Sequence, residues 1–388
     1  MCAKRKVCVV VASRANYGRI KATMRAIQDH PDLELQLVVG ASALLQRYGK
    51  AVELIEKDGF KVDSKVFMVI EGESPTTMAK STGLAIIELA TIFENLAPDI
   101  VLTVADRYET LSTAVAASYM NIPLAHTQGG EVTGSIDESV RHAITKLAHI
   151  HFPTTELSKK RLVQMGENTD AIHTVGCPSI DAICSLELNM TSQFMDTYTK
   201  KGVGSKIDFT KPYIVVLQHP VTTEFGHGAD QIQETLEAVY PLGIQTVWLW
   251  PNIDAGSDDI SKAIRTFRER HNPEHMHFYI NFPVEDYAVL LNNAACIVGN
   301  SSSGIREGSY LGVPAVNIGS RQSNRERGAN LMDVDYDREE IKEAILNQLD
   351  HGSYPQNTLY GDGNASTRIA EVLGSHIFNI QKVFRDIE

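Results

Sequence analysis

Ile100–Thr127 reads IVLTVADRYETLSTAVAASYMNIPLAHT. The stretch opens on a continuous apolar run, Ile100–Val104, and crosses a short polar turn. It then continues through the helix-like segment Glu109–Met120 and returns to a second apolar run, Pro123–Thr127. Short uninterrupted apolar runs mark strands covered on both faces, and a helix-length link between two of them makes the strands parallel. Upstream, the strand-like runs Val7–Ala12 and Leu33–Gly40 alternate with the helical stretches Ile20–His30 and Thr77–Leu96. Downstream come the helical Asp137–Ala148 and a further strand-like run, Ile172–Val175.

The second half of the chain repeats the alternation. Strands are predicted at Tyr213–Gln218, Thr246–Trp250, Met276–Ile280, Cys296–Gly299 and Ala315–Ile318, with helices at Ala229–Tyr240, Val284–Asn293 and Asp337–Leu349. From Leu186 to Lys211 the strong apolar runs disappear, which reads as a connection. The pattern predicts an α/β chain of two Rossmann-like, doubly wound domains facing each other across a cleft. Their bounds are 1–185 and 212–364, joined by 186–211, with a C-terminal helix over 365–388 packing back on the first domain. Ligands of such sheets bind where strand C-termini open onto loops, so the cleft is where chemistry is expected.

Bulk properties narrow the function. The 388 residues are 43% hydrophobic and 22% charged, an ordinary globular composition. A formal charge of -12 argues against nucleic acid or an anionic membrane as the main partner. Arg14, Arg107, Arg321, Arg325 and Arg327 can still make a pocket locally basic. The five cysteines are scattered without a CxxC pair, which suggests neither a disulfide framework nor a thiolate zinc site. The apolar run after Lys4-Arg5-Lys6 is too short for a signal-peptide core, and no run approaches a membrane span. A cytoplasmic setting is expected.

Several loops carry chemistry. Ser13–Arg19 (SRANYGR) joins the first strand to the first helix, where backbone amides and Arg14 suit a phosphate. It is neither GxGxxG nor a Walker loop. Asp106, directly after Ile100–Val104, points into a ligand crevice if it does not simply cap the next helix. His126–Glu138 (HTQGGEVTGSIDE) puts three glycines and the carboxylates Glu131, Asp137 and Glu138 between a strand and a helix. Carboxylates there can move protons on a sugar, and glycines let backbone approach a ligand. Asp137 and Arg141, four apart, could equally form a helical ion pair.

In the second half, Gln218–Thr223 (QHPVTT) and Pro251–Ser257 (PNIDAGS) follow strands and present His219 and Asn252. The thirteen histidines include no HExxH spacing, so no metal site is predicted. Gly299–Glu307 (GNSSSGIRE) is a hydroxyl-rich loop between glycines whose amides and Ser301 and Ser302 suit a diphosphate. Glu307, read as lying one turn into the following helix, is placed to accept from ribose hydroxyls. Gly319-Ser320-Arg321-Gln322 adds Arg321 to the same rim.

These motifs resemble the UDP-N-acetylglucosamine 2-epimerase family, specifically its hydrolysing branch. The likeness runs from Ser13 to about Ile369 and is densest in Gly129–His151, Gln218–Thr223, Pro251–Ser257, Gly299–Glu307 and Tyr360–Asn364. It implies a GT-B-like pair of Rossmann domains, a UDP-linked sugar as substrate, no cofactor, and a homo-oligomer, dimer or tetramer. The implied reaction removes the sugar C2 proton as the nucleoside diphosphate leaves C1. Water then adds to the resulting glycal, releasing N-acetylmannosamine and UDP. Asp106, Asp137 and His219 match positions assigned to catalysis, and Glu131, a further catalytic candidate, matches the glutamate closing the GGE motif. Arg14, Arg107, Asn252, Ser301, Ser302, Glu307 and Arg321 match positions holding the nucleotide and diphosphate. Gln128 stands where many relatives carry a glutamate with a catalytic role. Glutamine cannot act as a base, so Gln128 is expected to position the sugar while Glu131 or Asp137 takes that work, or else the substrate differs.

Several alternatives stay open. The sugar could be a UDP- or GDP-linked 2,4-diacetamido-trideoxyhexose. A non-hydrolysing epimerase would return UDP-N-acetylmannosamine, although GGEVTGSIDE resembles the hydrolysing branch. A glycosyltransferase would need an acceptor. A sugar-nucleotide sensor without turnover fits Gln128 but not the intact acids around it.

Overall fold

Every residue of the run Ile100–Val104 is buried, and it forms a central strand. The computed structural model describes residues 3–72, 74–252, 254–383 and 385. The chain divides into two units, one of Met1–Glu131, Ile136–Ser185 and Leu359–Glu388, the other of Val132–Ser135 and Leu186–Thr358.

The first unit holds six strands: β1 Arg5–Val11, β2 Leu33–Gly40, β3 Ser64–Val66, β4 Ile100–Val104, β5 Leu124–Thr127 and β6 Ile150–Phe152. They pair in the order β3-β2-β1-β4-β5-β6, all parallel. This is the doubly wound order, which switches direction between β1 and β4. Period-two alternation feeds two cores. Val7, Val9, Val11, Ile100 and Leu102 face one side of the sheet; Cys8, Val38, Val101 and Leu124 face the other. Local chemistry starts the helices. Ser74 and Thr77 make a reciprocal capping box with Pro75 in the first turn of Pro75–Leu96, and Ser13 accepts from the Asn16 amide at the start of Arg14–Asp29.

The second unit holds β7 Val203–Gly204, β8 Tyr213–Leu217, β9 Gln245–Leu249, β10 Met276–Tyr279, β11 Cys296–Gly299, β12 Ala315–Ile318 and β13 Leu331–Val334. The order is β13-β12-β11-β8-β9-β10-β7. From β8 to β13 it repeats the doubly wound order of the first unit, and only the edge strand β7 runs antiparallel, to β10. The α/β, doubly wound expectation is met in each unit.

Three expectations need correction. Ile172–Val175 is no separate strand. It is extended beside β6, with the amides of His173 and Val175 bonding to the carbonyls of His151 and Pro153, but only Ile172 makes a bridge. Gly176 at φ +93° and the helix opened by Pro178 cut the pairing short. The C-terminal helix spans Ala365–Ser375 and stops there, because His376 turns extended at φ -66°, ψ 135°. Phe384 and residues 386–388 of the predicted helix, like Ile253 of PNIDAGS, lie outside the described residues. Within the first unit, Ala365, Ile369, Ala370 and Leu373 of this helix join the core that holds Tyr17, Ile20 and Met24. Glu307 is the third case: it is the first residue of a short helix, Glu307–Leu311, not a residue one turn inside it. Residues 302–306 are turns, held by Ser302 and Ser303 carbonyls that accept from the amides of Ile305, Arg306 and Gly308. Among the described residues no helix is long and apolar enough to cross a membrane.

Candidate active site

In the first unit the candidate side chains Asp106, Gln128 and Glu131 follow the C-terminal ends of β4 and β5. Beyond β4, Ala105 turns at φ +63°, and beyond β5, Gln128 turns at φ +64°. Left-handed backbone at residues other than glycine costs about 1–3 kcal/mol each and persists where surroundings enforce it. At Ala105 the enforcement is visible. His126, fully buried on β5, has Nε2 2.7 Å from the Ala105 carbonyl, while Nδ1 lies 3.4 Å from Thr145 Oγ1. Burial drives the His126 pKa down to about 3, so the ring is neutral near pH 7. It donates from Nε2 to Ala105 and accepts at Nδ1 from Thr145, the tautomer that the two partners dictate.

The Ala105 turn aims Asp106 at Arg141, and the two form a buried salt bridge. Asp106 is therefore no helix cap; Arg107 occupies that position ahead of Tyr108–Tyr119. Arg141, on the helix Ile136–Leu147, is completely buried and also donates 2.8 Å to the Glu131 carbonyl oxygen. Burial opposes its charge, but the carboxylates of Asp106, Glu131 and Asp137 outweigh burial and raise its pKa. Thr154 Oγ1 donates to Glu131 Oε1 at 2.8 Å. Asp137 sits in the first turn of the same helix, half-buried. One buried guanidinium thus ties together the turns that follow β4 and β5.

Four first-unit expectations fare differently. Gly130 (φ +78°) does not leave space for a ligand, because a Cβ there would lie 2.1 Å from the Ser158 carbonyl oxygen. Its glycine serves close packing of backbone on the helix Glu156–Gln164. Arg107 spends its fork on Glu109, at 3.1 and 3.2 Å. Gln128 is 1% exposed; its Nε2 lies 3.5 Å from Cys177 Sγ and its Oε1 meets no donor among the described residues. Arg14 is half-buried at the start of Arg14–Asp29.

The second unit builds a different cluster at its own switch point, between β8 and β11. Gly299 (φ +128°) ends β11 so close to β8 that a Cβ would stand 2.2 Å from the Leu217 carbonyl oxygen. Asn300 follows, fully buried. Its Oδ1 accepts from the His219 amide at 2.7 Å and its Nδ2 donates to the His219 carbonyl at 2.8 Å. The Asn252 amide donates to His219 Nδ1 at 3.1 Å, so a neutral His219 carries its ring proton on Nε2. Arg321 Nη1 and Gln322 Nε2 both donate to the Asn300 carbonyl, at 3.2 and 2.9 Å. Ser301 and Ser303 share a 2.9 Å hydroxyl contact, and Tyr287 reaches Ser303 at 2.7 Å. Ser301 and Ser302 are half-buried. His219, Asn252, Ser301 and Arg321 are thus gathered around Asn300. Glu307 stands further along, near enough to Tyr287 that its charge adds slightly to the dominant effect of burial in raising the phenol pKa.

A family model described as UDP-N-acetylglucosamine 2-epimerase matches residues 25–374. The chain belongs to the UDP-N-acetylglucosamine 2-epimerase family. It is 33% identical over 369 residues to the UDP-N,N'-diacetylbacillosamine 2-epimerase (hydrolyzing) of Legionella pneumophila, covering 95% of each chain. It is 31% identical over 393 residues to the UDP-N-acetylglucosamine 2-epimerase of Neisseria meningitidis serogroup B, covering 99% of each. A solved UDP-GlcNAc 2-epimerase from Neisseria meningitidis, bound to UDP-GlcNAc, superposes with a TM-score of 0.79 over 95% of this chain and 99% of that one. At 20% identity that likeness speaks for the fold.

For this epimerase-family chain the motifs located the loops but not the residues that organise them. Arg141 was read as a partner for Asp137, whereas its salt bridge runs to Asp106, thirty-five positions away. Asn300 and His126 lay inside quoted motifs without a role. Their signal was position: each is a hydrogen-bonding residue at the end of a buried strand, where an unpaired group is costly.

Proposed function

We propose that the chain is a hydrolysing 2-epimerase that converts UDP-N-acetylglucosamine and water to N-acetylmannosamine and UDP. The observation that carries this reading is the buried Arg141, which holds Asp106 and the Glu131 turn together beside Asp137. Proton removal from a carbon needs a carboxylate fixed in place, and a packed ionic cluster supplies fixed carboxylates. A carboxylate takes the C2 proton while the C1–O bond breaks and its electrons leave with UDP, forming a C1=C2 double bond. Water then gives hydroxide to C1 and a proton goes to the opposite face of C2. The proton lost is replaced by another, so the sequence needs neither oxidant nor reductant. We assign the diphosphate to Ser301, Ser302 and Arg321, and proton donation to the departing group to His219 Nε2–H.

The name of the Legionella relative supports the hydrolysing course, and the name of the Neisseria relative supports the sugar. The Legionella name also motivates a second reading, in which the sugar is a UDP-linked diacetamido-trideoxyhexose. Product analysis by NMR in deuterium oxide tests both. UDP and N-acetylmannosamine deuterated at C2 are expected from UDP-N-acetylglucosamine. UDP-N-acetylmannosamine as sole product would overturn the hydrolytic course, and turnover of the diacetamido sugar alone would select the second reading. Glu131→Gln and Asp137→Asn should each slow turnover by roughly 10²–10⁴-fold, the range for a lost acid or base.

A further inference from the structure

Residues 376–383, which follow the C-terminal helix, run without helical structure, and specific contacts hold them and the end of that helix to the first unit. Arg5 Nη1 donates to the carbonyls of Leu373 and His376, at 2.7 and 2.9 Å. His149 Nε2 lies 2.9 Å from the Ile380 carbonyl oxygen. The last anchor is Lys382. Its ammonium contacts the carbonyls of Thr145, Lys146 and Ala148 at 3.2, 3.1 and 2.5 Å, and Glu167 Oε2 at 2.6 Å. Glu167, buried, also receives His151 Nε2 at 2.9 Å and Lys146 at 2.7 Å.

Thr145 and Lys146 lie in the last turn of the helix Ile136–Leu147 and Ala148 directly follows it; this is the helix that carries Asp137 and Arg141. A lysine there adds a donor to carbonyls at the end of the helix, where the Thr145 carbonyl also accepts from the Ala148 amide at 3.2 Å, and complements the negative end of the helix dipole. From this anchor an unbroken line of contacts leads to the reacting groups. Thr145, whose carbonyl takes Lys382, gives its hydroxyl to His126 Nδ1. His126 Nε2 holds the Ala105 carbonyl, and the left-handed turn at Ala105 aims Asp106 at Arg141.

We propose that Lys382 is a positioning residue: by closing the end of Ile136–Leu147 it fixes, through Thr145 and His126, the turn that holds Asp106 against Arg141. Lys382 touches none of the carboxylates assigned to the reaction and acts only through this line. The proposal rests on the epimerase reading for its kinetic arm and on hydrogen exchange for an arm that needs no substrate.

Three variants of the full chain test it: Lys382→Met, Lys382→Arg and Thr145→Val. Lys382→Met should lower kcat on UDP-N-acetylglucosamine by roughly ten- to hundredfold, the scale of a slightly misplaced catalytic group. UDP affinity, read by calorimetry, should stay within about twofold, because Ser301, Ser302 and Arg321, assigned to the diphosphate, lie in the other unit and the line from Lys382 reaches neither Arg14 nor Arg107. A guanidinium in place of the ammonium keeps a cation with several donors, so Lys382→Arg should recover most of the lost kcat. Thr145→Val, which leaves Lys382 in place and breaks the next link, should reproduce the kcat loss. Amides of residues 145–149 should exchange faster in Lys382→Met than in wild type. Wild-type kcat in Lys382→Met, an equal fall in kcat and UDP affinity, or no recovery in Lys382→Arg would each overturn the proposal. If Lys382→Met does not fold, Thr145→Val with wild-type kcat overturns it instead. A wild-type chain without turnover sinks the epimerase reading and leaves the exchange arm standing, where unchanged exchange in Lys382→Met overturns the positioning role.

Discussion

The two strand-end clusters share one sheet order and differ in what holds them. After β4 and β5 the first unit buries charge: a guanidinium with no exposed surface, a carboxylate paired to it, and two non-glycine residues in left-handed backbone. After β8 and β11 the second unit buries a neutral amide, Asn300, and leaves Ser301 and Ser302 half-open around it. A buried ion pair adds little net stability but is costly to break. A neutral hydrogen-bonded loop gives up only about 0.5–1.5 kcal/mol per bond. The contrast suits two tasks, since proton transfer needs fixed carboxylates whereas holding a diphosphate needs many modest donors.

Arg141→Met should break the first cluster most severely. It removes the cation paired with buried Asp106 and frees the Glu131 turn, so about 3–5 kcal/mol of stability should be lost in urea unfolding. Turnover should fall by roughly 10³-fold or more, because Asp106 loses the cation that holds it and the Glu131 turn loses its tether. Arg141→Lys, which keeps a charge but not the fork, should fall between. UDP affinity should survive within about threefold wherever the variant remains folded. A folded, active Arg141→Met would erase the distinction between the two clusters.

Ser302→Ala probes the other side at smaller cost. A hydroxyl bonded to a charged phosphate contributes about 1.5–3 kcal/mol, so UDP should bind roughly ten- to hundredfold more weakly. Stability should move by less than about 0.5 kcal/mol, because Ser302 is half-buried and the substitution leaves in place the carbonyl that accepts from the Ile305 and Arg306 amides. Calorimetry with UDP reads this directly, and an unchanged affinity would place the diphosphate elsewhere.

How much of this was legible in the sequence depends on range. Ile100–Val104, Leu33–Gly40 and Ala315–Ile318 were read to the residue, because buried parallel strands write themselves as local apolar runs. β3, β6, β7 and β13 were not, being short or sparsely apolar. Loops at strand ends were found for the same reason the strands were. Partners were not: Arg141 to Asp106, His126 to Ala105 and Lys382 to the end of Ile136–Leu147 are long-range hydrogen bonds with no periodic trace. Local rules proposed the nearest partner instead, a cap for Asp106 and Asp137 for Arg141.

Gln128 carries the smallest expected effect and the sharpest test of the boundary between the two kinds of cluster. It lies in the charged unit yet is neutral, buried to 1% exposure, and has an amide oxygen that meets no donor among the described residues. Its left-handed backbone costs alanine about as much as glutamine, so Gln128→Ala isolates the side chain. Loss of packing and of the 3.5 Å contact to Cys177 Sγ should lower stability by about 1–2 kcal/mol. If Gln128 positions the sugar, kcat/KM should also fall, by about tenfold or less, with the change in KM; a positioning contact binds substrate and transition state alike. If instead it only packs the end of β5, unfolding shifts while KM holds. A loss of 10³-fold or more in kcat would contradict both outcomes: an amide moves no proton, so Gln128 would then be holding in place the groups that do.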